Sequence, residues 1–305
     1  MTPEDVDALV RLAHGALAPA RVDRLVRRHG SVAGAVRAIE TAGDPPEAIR
    51  AAVRVSAVER ADQLAEAGIR FLVPGPAASR DDAAMLDEVA MWKRIERFPG
   101  GPRWLFARGH WPDVPTVAIV GTRTCTAYGE RLAEEYGAAA ADAGWQVVSG
   151  MARGIDGAAH RGALGRRGYT TAVLGSGVDV VYPRRHRALY AAILESGCIL
   201  SEYPPGTRPD GWRFPTRNRI ISALADVVLV VEAGETGGAL ITARLAIDQG
   251  VPVFATPGDV DRVVSMGTNR LIRDGAFPVF DADDLSQVLD LIVPFAAVGD
   301  PAIDR

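Results

Sequence analysis

The sequence predicts an α/β protein: a mainly parallel sheet covered by helices on both faces, with a small helical domain ahead of it. Three observations carry this. From residue 117 onward, short β-branched apolar runs alternate with helix-like stretches. Those runs are apolar throughout, so both their faces are buried, as in a parallel sheet. Before residue 71, apolar residues recur at three-to-four spacing and strand signals are missing.

In chain order, residues 1–70 form a helical domain from "DVDALVRLAH", "APARVDRLVRRHG", "SVAGAVRAIE" and "SAVERADQLAEAG". Gly30 closes the second helix and Ser31 can cap the third. The turn "HGALAP" lacks the closely spaced glycines that would bare N–H groups to a phosphate, so this part reads as a docking or packing module. Residues 71–116 form a linker or edge segment. In it "FLVPGP" reads as a strand, "DDAAMLDEVAMWKRIERF" as a helix and "PRWLFARG" as a strand ending on Gly109, with a break at Pro99, Gly100, Gly101 and Pro102. Residues 117–295 hold the sheet. Its strands are "VAIV", "WQVVS", "TTAVLG", "CILSEY", "VVLVVEA", "PVFATPG" and "PVF". The helices between and after them are "YGERLAEEYGAAAADAG", "DGAAHRGALG", "HRALYAAILESG", "GGALITARLAIDQG", "TNRLIRDG" and "DADDLSQVLDLI". Residues 296–305 are a tail.

Composition removes several function classes. With 305 residues, 48% of them hydrophobic, the chain can bury a large core. No apolar run approaches the roughly 20 residues that span a bilayer, and "MTPEDVD" opens no signal peptide. Two cysteines, Cys125 and Cys198, are too few for a disulfide framework and point to reduced thiols in the cytoplasm. A net charge of −4 argues against a general nucleic-acid coat but leaves room for a local basic groove. Lys93 is the only lysine, so neither a GxxxxGK[ST] loop nor a Schiff-base lysine near the glycine loops is available. A phosphate must be held by backbone N–H groups and arginine.

The chemistry concentrates in the loops that follow strands, where helix N-termini point at ligands in such sheets. These are "GTRTCT", "GMARGID", "AGETGG" and "TPGD". The stretch "SGMARGIDGAAH" is dense in glycine, which lets something approach the backbone. GxGxxG is absent, and Ser149 stands where a dinucleotide site has its acid, so no NAD or other cofactor is expected. In "FPTRNRIISALAD", Phe214 precedes Arg217, Asn218 and Arg219, just ahead of an apolar helix. An aromatic beside basic residues can stack a base while arginine holds phosphate, and Trp212 and Arg213 extend the pattern.

Other candidates carry less. His160 reads as a helix-packing residue, and His14, His29, His110 and His186 lack metal-ligand spacing. Cys125 has no base partner, and neither a Ser-His-Asp set nor a G-x-S-x-G elbow is present. Glu202 and Glu232 end strands, where they can act as acid–base groups, cap helices or pair with arginines. No catalytic residue and no metal site is expected.

The segments "VAIVGTR", "VVSGMARGIDGAAH", "TTAVLGSGVDVVYP", "ILSEYPPG", "FPTRNRIISALAD", "GGALITARLA" and "TPGD…GTNRLIRDGA", in this order, resemble the DprA/Smf DNA-processing family over roughly 117–280. The resemblance implies an extended Rossmann-like domain behind a SAM-like helical one. It implies a cytoplasmic homodimer that binds single-stranded DNA, protects it during transformation and recombination, helps load RecA, and has no established catalytic activity. By motif, the DNA contacts fall on Gly121 and Arg123, on Gly150, Arg153 and Gly154, on Phe214, Arg217, Asn218 and Arg219, and on Gly237 and Gly238. Two alternatives stand beside it. A nucleoside-monophosphate hydrolase would carry PGGxGTxxE after a late strand, but here Leu240, Ile241 and Thr242 occupy the region of its glutamate. A nucleotide sensor would use the same groove.

Overall fold

The structure, a computed structural model, describes residues 3–15, 17–41, 53–74, 83–98 and 100–292. The expected tail at 296–305, the start of the helix expected from 81, the end of "FLVPGP" and Pro99 lie outside these residues.

Among the described residues, four helices come first: α1 (Pro3–His14), α2 (Pro19–His29), α3 (Val32–Thr41) and α4 (Ala57–Glu66). Their ends follow local chemistry. Pro19 opens α2, where no N–H is needed, and Gly30 closes it at φ +75°. The Ser56 hydroxyl accepts from the Glu59 N–H at the start of α4.

The rest of the described chain runs β1 (Arg70–Leu72), α5 (Ala83–Glu96), β2 (Leu105–Gly109), β3 (Thr116–Val120), α6 (Ala127–Asp142), β4 (Gln146–Ser149), α7 (Ile155–Gly165), β5 (Thr170–Val173), α8 (Arg187–Ser196) and β6 (Gly197–Ser201). It continues with α9 (Arg213–Leu224), β7 (Val227–Val230), α10 (Gly238–Asp248), β8 (Val253–Ala255), α11 (Val263–Arg273), β9 (Phe277–Pro278) and α12 (Ala282–Leu291). The nine strands form one sheet in the order β1-β2-β6-β5-β4-β3-β7-β8-β9. From β6 to β9 every pairing is parallel, as the apolar runs predict; β1 and β2 join antiparallel, with Phe106 opposite Ser201.

Strand residues alternate between two faces. Ala118, Val120, Val228 and Val230 pack beneath α5, α9 and α10. Val117, Ile119, Val227 and Leu229 face α6, α7 and α12. On the β2–β6–β5 half of that second face, Phe106, Ile199 and Ala172 share one apolar cluster with Leu9, Leu12 and Val36 of the first helices.

A buried ion pair fixes the cover of the first face. Arg94 on α5 donates to Asp226 at 2.6 Å, and the same carboxylate accepts the Thr116 N–H at 2.8 Å. It ties α5 to the beginnings of β3 and β7.

Two helix starts differ from the sequence expectation. α9 begins at Arg213, ahead of the basic pair rather than after it. Pro215 suits a first turn, whose N–H groups have no intrahelical acceptor. α11 begins at Val263 rather than near Thr268: its Gly267 packs against the loop after β7, where the Gly267 N–H reaches Ala233 O at 2.8 Å, and its Ser265 packs against Gly258 after β8.

Candidate functional site

The chain reverses its winding at the neighbouring strands β3 and β7. From β3 it winds outward through β4, β5 and β6, and from β7 it winds the other way through β8 and β9. Adjacent loops therefore diverge at the C-terminal ends of β3 and β7, which opens a crevice. A cleft of about 650 Å³ lies there. Its walls are Gly121–Arg123 after β3, Ala152 and Asp156 after β4, Gly237–Ala239 at the start of α10, and Phe214, Arg217, Asn218 and Ile221 of α9. Three of the four glycine loops thus share one space. The fourth, "TPGD", lines a separate hollow of about 480 Å³ with Thr126, Tyr128 and Glu232.

The glycines of "SGMARGIDGAAH" are not open to an outside chain, contrary to the sequence expectation. A Cβ on Gly150 would overlap the Arg217 guanidinium, and one on Gly154 would strike Thr122 O. Gly154 also holds φ +73° as it turns the chain into α7, a conformation that costs an L side chain strain. These residues are small because the protein's own atoms press on them. The open space is at α10. A Cβ on Gly238 meets nothing within 4 Å, and Gly237 gives the helix no side-chain cap. The first-turn N–H groups of α10 and its dipole face the cleft.

The "RNR" triplet divides three ways. Residues two apart on a helix point roughly 200° apart, so Arg217 and Arg219 cannot clamp one backbone together. Arg217, only 4% exposed, forms a cleft wall and donates to Val173 O. Its Nε is buried without a partner. Desolvation pushes this guanidinium down to about 10, with Asp156 opposing the shift, so it stays cationic at neutral pH. Asp156 accepts from the Gly150 and Ala152 N–H groups at 3.2 and 3.4 Å. Burial raises its pKa, and Arg217 opposes that shift. Asn218 donates to Gly238 O at 3.1 Å and holds α9 to α10. Arg219 turns away from the cleft and pairs with both carboxylate oxygens of buried Glu202, each at 2.8 Å. Its role as a phosphate clamp is therefore corrected: its guanidinium already has a fork-shaped partner.

The rim carries the exposed cation. The Arg123 guanidinium lies 4.5 Å over the Phe214 ring. Phe214 also packs beside Tyr182, with centroids 5.6 Å apart. Arg153 is exposed in a small recess shared with Arg123, Tyr182, Pro183 and Phe214. Among the described residues neither Arg123 nor Arg153 forms a salt bridge. Sequence reasoning missed Tyr182 and the exposed Arg184, Arg185 and Arg187 just beyond it. The run "YPRRHR" was the available signal.

The remaining candidates are structural. His160 is buried in the core. Thr170 donates to Val147 O, so it accepts from His160 Nδ1–H at 2.6 Å, and Nε2 is buried without a partner. Burial pushes the ring down to about 3. Glu232 accepts from the Thr126 N–H and hydroxyl at 2.9 and 2.6 Å, at the start of α6. Burial raises the pKa of the Cys125 thiol, the reverse of what a nucleophile needs. Among the described residues no helix is long and apolar enough to cross a membrane.

A family model described as DNA recombination-mediator protein A matches residues 84–290. Protein Smf of Escherichia coli K12 is 44% identical over 174 residues, covering 57% of this chain and 46% of that protein. The chain thus spans about half the length of the curated relatives it matches. The X-ray structure of DNA processing protein A from Streptococcus pneumoniae is similar at a TM-score of 0.72 and 27% identity, over 96% of this chain and 99% of that one. A structure of DNA processing protein A from Helicobacter pylori, described for its single-stranded DNA binding mode, is similar at a TM-score of 0.62 and 29% identity, over 72% of this chain and 95% of that one.

Proposed function

Because the chain belongs to the DNA recombination-mediator protein A family, we propose that its cleft binds single-stranded DNA. The observation that carries the reading is the rim, where exposed Arg123 stacks on Phe214 above a floor made by the Arg217 guanidinium and the N-terminus of α10. Stacking surface and phosphate donors side by side suit unpaired nucleotides, whose bases can turn inward while the backbone stays on cations. In this reading Arg123 and Arg153 hold phosphates, Arg217 polarises the floor with Gly237 and Gly238, and Phe214 presents its ring to a base. Gly121, Gly150 and Gly154 shape the walls, and Asn218 positions α10. The binding mode described for the Helicobacter pylori relative supports it.

The protein acts by binding rather than by catalysis. Leu240, Ile241 and Thr242 follow the α10 N-terminus where a base-releasing hydrolase would need a glutamate. The family reading extends to a cytoplasmic homodimer that shields single strands and passes them to RecA. Phe277 and Phe280, 69% and 61% exposed at the β9 edge, offer apolar surface for a second copy. Residues 1–70 act in it as a docking or packing module.

Fluorescence anisotropy with labelled single-stranded DNA, duplex DNA and mononucleotides tests the reading. Tighter binding of the single strand is expected, and equal affinity for duplex overturns it.

A further inference from the structure

The chain has five tryptophans, and four of them, Trp92, Trp104, Trp111 and Trp145, are buried. Trp212 is 44% exposed. An indole left in water is ordinarily mobile; this one is held. Its Nε1–H donates to Asp210 at 2.9 Å. Tyr203 meets it edge to face, with centroids 6.0 Å apart at 90°. The Arg213 guanidinium lies 5.1 Å from the Trp212 ring and 5.2 Å from the Tyr203 ring, and is itself anchored on Arg208 O. None of these contacts makes Trp212 part of the core.

Its position is informative. Trp212 is the N-cap of α9, between Gly211 and Phe214, both of which line the cleft. Trp212 itself does not line it. Asp210, which holds the indole, lines the cleft, so the indole stands beside the rim, on a side of α9 turned roughly 200° from the Phe214 ring. Exposed Arg208 lies on the same stretch.

We infer that Trp212 is a second base-stacking platform, on which the nucleotide leaving the Phe214 cleft comes to rest. The inference rests on the single-stranded DNA reading above. A fixed, half-exposed aromatic ring with a cation on it loses little freedom when a base stacks. Arg213, set between the two rings, both orients the indole and supplies positive charge to the adjoining phosphate.

Trp212 can also report its own contact, since the other tryptophans are shielded from a stacking base and Trp212→Phe removes its share of the emission change. The test titrates the full chain with oligo-dT of increasing length and with abasic oligomers of matched length, reading tryptophan emission and anisotropy. Oligo-dT is expected to change the emission once it is long enough to pass the cleft, and a dT mononucleotide is not. Trp212→Ala should weaken oligo-dT binding about 5- to 150-fold, the span of one base–aromatic stack, with the slope of log K against log salt unchanged. Trp212→Phe should retain most of the affinity, and abasic oligomers should not distinguish Trp212→Ala from wild type. Should Trp212→Ala lower stability, Trp212→Phe and the wild-type emission change still decide. Oligo-dT binding that leaves wild-type emission constant, or equal affinity in Trp212→Ala, overturns the platform and leaves the cleft reading standing. Failure of wild type to bind any single strand overturns both.

Discussion

Replacing Arg219 with alanine should destabilise the fold and leave the electrostatics of DNA binding unchanged. The guanidinium is 18% exposed and the Glu202 side chain 5% exposed, and the two are joined through both carboxylate oxygens. Alanine leaves a buried carboxylate without its cation. Losing one partner of a buried pair costs about 3–5 kcal/mol, and the partial exposure of Arg219 points to about 3 kcal/mol. Glu202 is already pushed up by burial, with Arg219 opposing that shift. Removing the arginine raises it further, so Glu202→Gln added to Arg219→Ala should restore part of the loss. Urea unfolding of the wild type, both single variants and the double variant measures this. Salt titrations of oligo-dT binding run beside it should give parallel lines for wild type and Arg219→Ala. A slope flattened by about 0.7, the value for one phosphate contact on a single strand, with stability unchanged, refutes the pairing argument and returns Arg219 to the groove.

Three further outcomes follow from the same geometry. Gly150→Ala drives a methyl into the Arg217 guanidinium and should cost about 1–3 kcal/mol, whereas Gly238→Ala enters open space and should keep its melting temperature while weakening oligo-dT binding; thermal melts and titrations separate the two. Arg123→Ala should flatten the salt slope by about 0.7. Phe214→Ala should weaken binding by about 1–3 kcal/mol, and because Arg123 rests on that ring the two should be non-additive in a double-mutant cycle. His160 takes its proton near pH 6.5 when unfolded and near 3 when folded. Between those values the unfolded chain binds the extra proton, so stability falls as pH falls, by up to about 1.4 kcal/mol per unit from this group. Urea unfolding at pH 7, 6 and 5 should show a shallower decline in His160→Gln.

The parallel sheet was legible because its strands are uniformly apolar, and the cleft because its loops follow neighbouring strands. The occupant of the space beside Gly150 was not legible. A guanidinium 67 residues away leaves no periodic trace, so glycine spacing resembles an opening when it is a packed wall. With the helix starting after them, Arg217 and Arg219 make a pair; with α9 starting at Arg213 they do not. Pro215 is a tolerated member of the first turn, and the helical rotation sets the two arginines apart. Tyr182 lies in an irregular stretch whose one mark is the basic run "YPRRHR" that it opens. The family motifs mark loops that meet at the cleft without saying which of their side chains face outward.

The apolar cluster shared by Leu9, Leu12 and Val36 with Phe106 and Ile199 bears on how this protein can be cut. Trimming the first helices would leave Trp104 and Phe106, each at most 3% exposed in the intact chain, facing water. The shortened chain would be expected to self-associate or to need a compensating polar substitution at Phe106. Heating the intact chain should disrupt helices and sheet in a single transition, because neither side of that cluster is dry without the other.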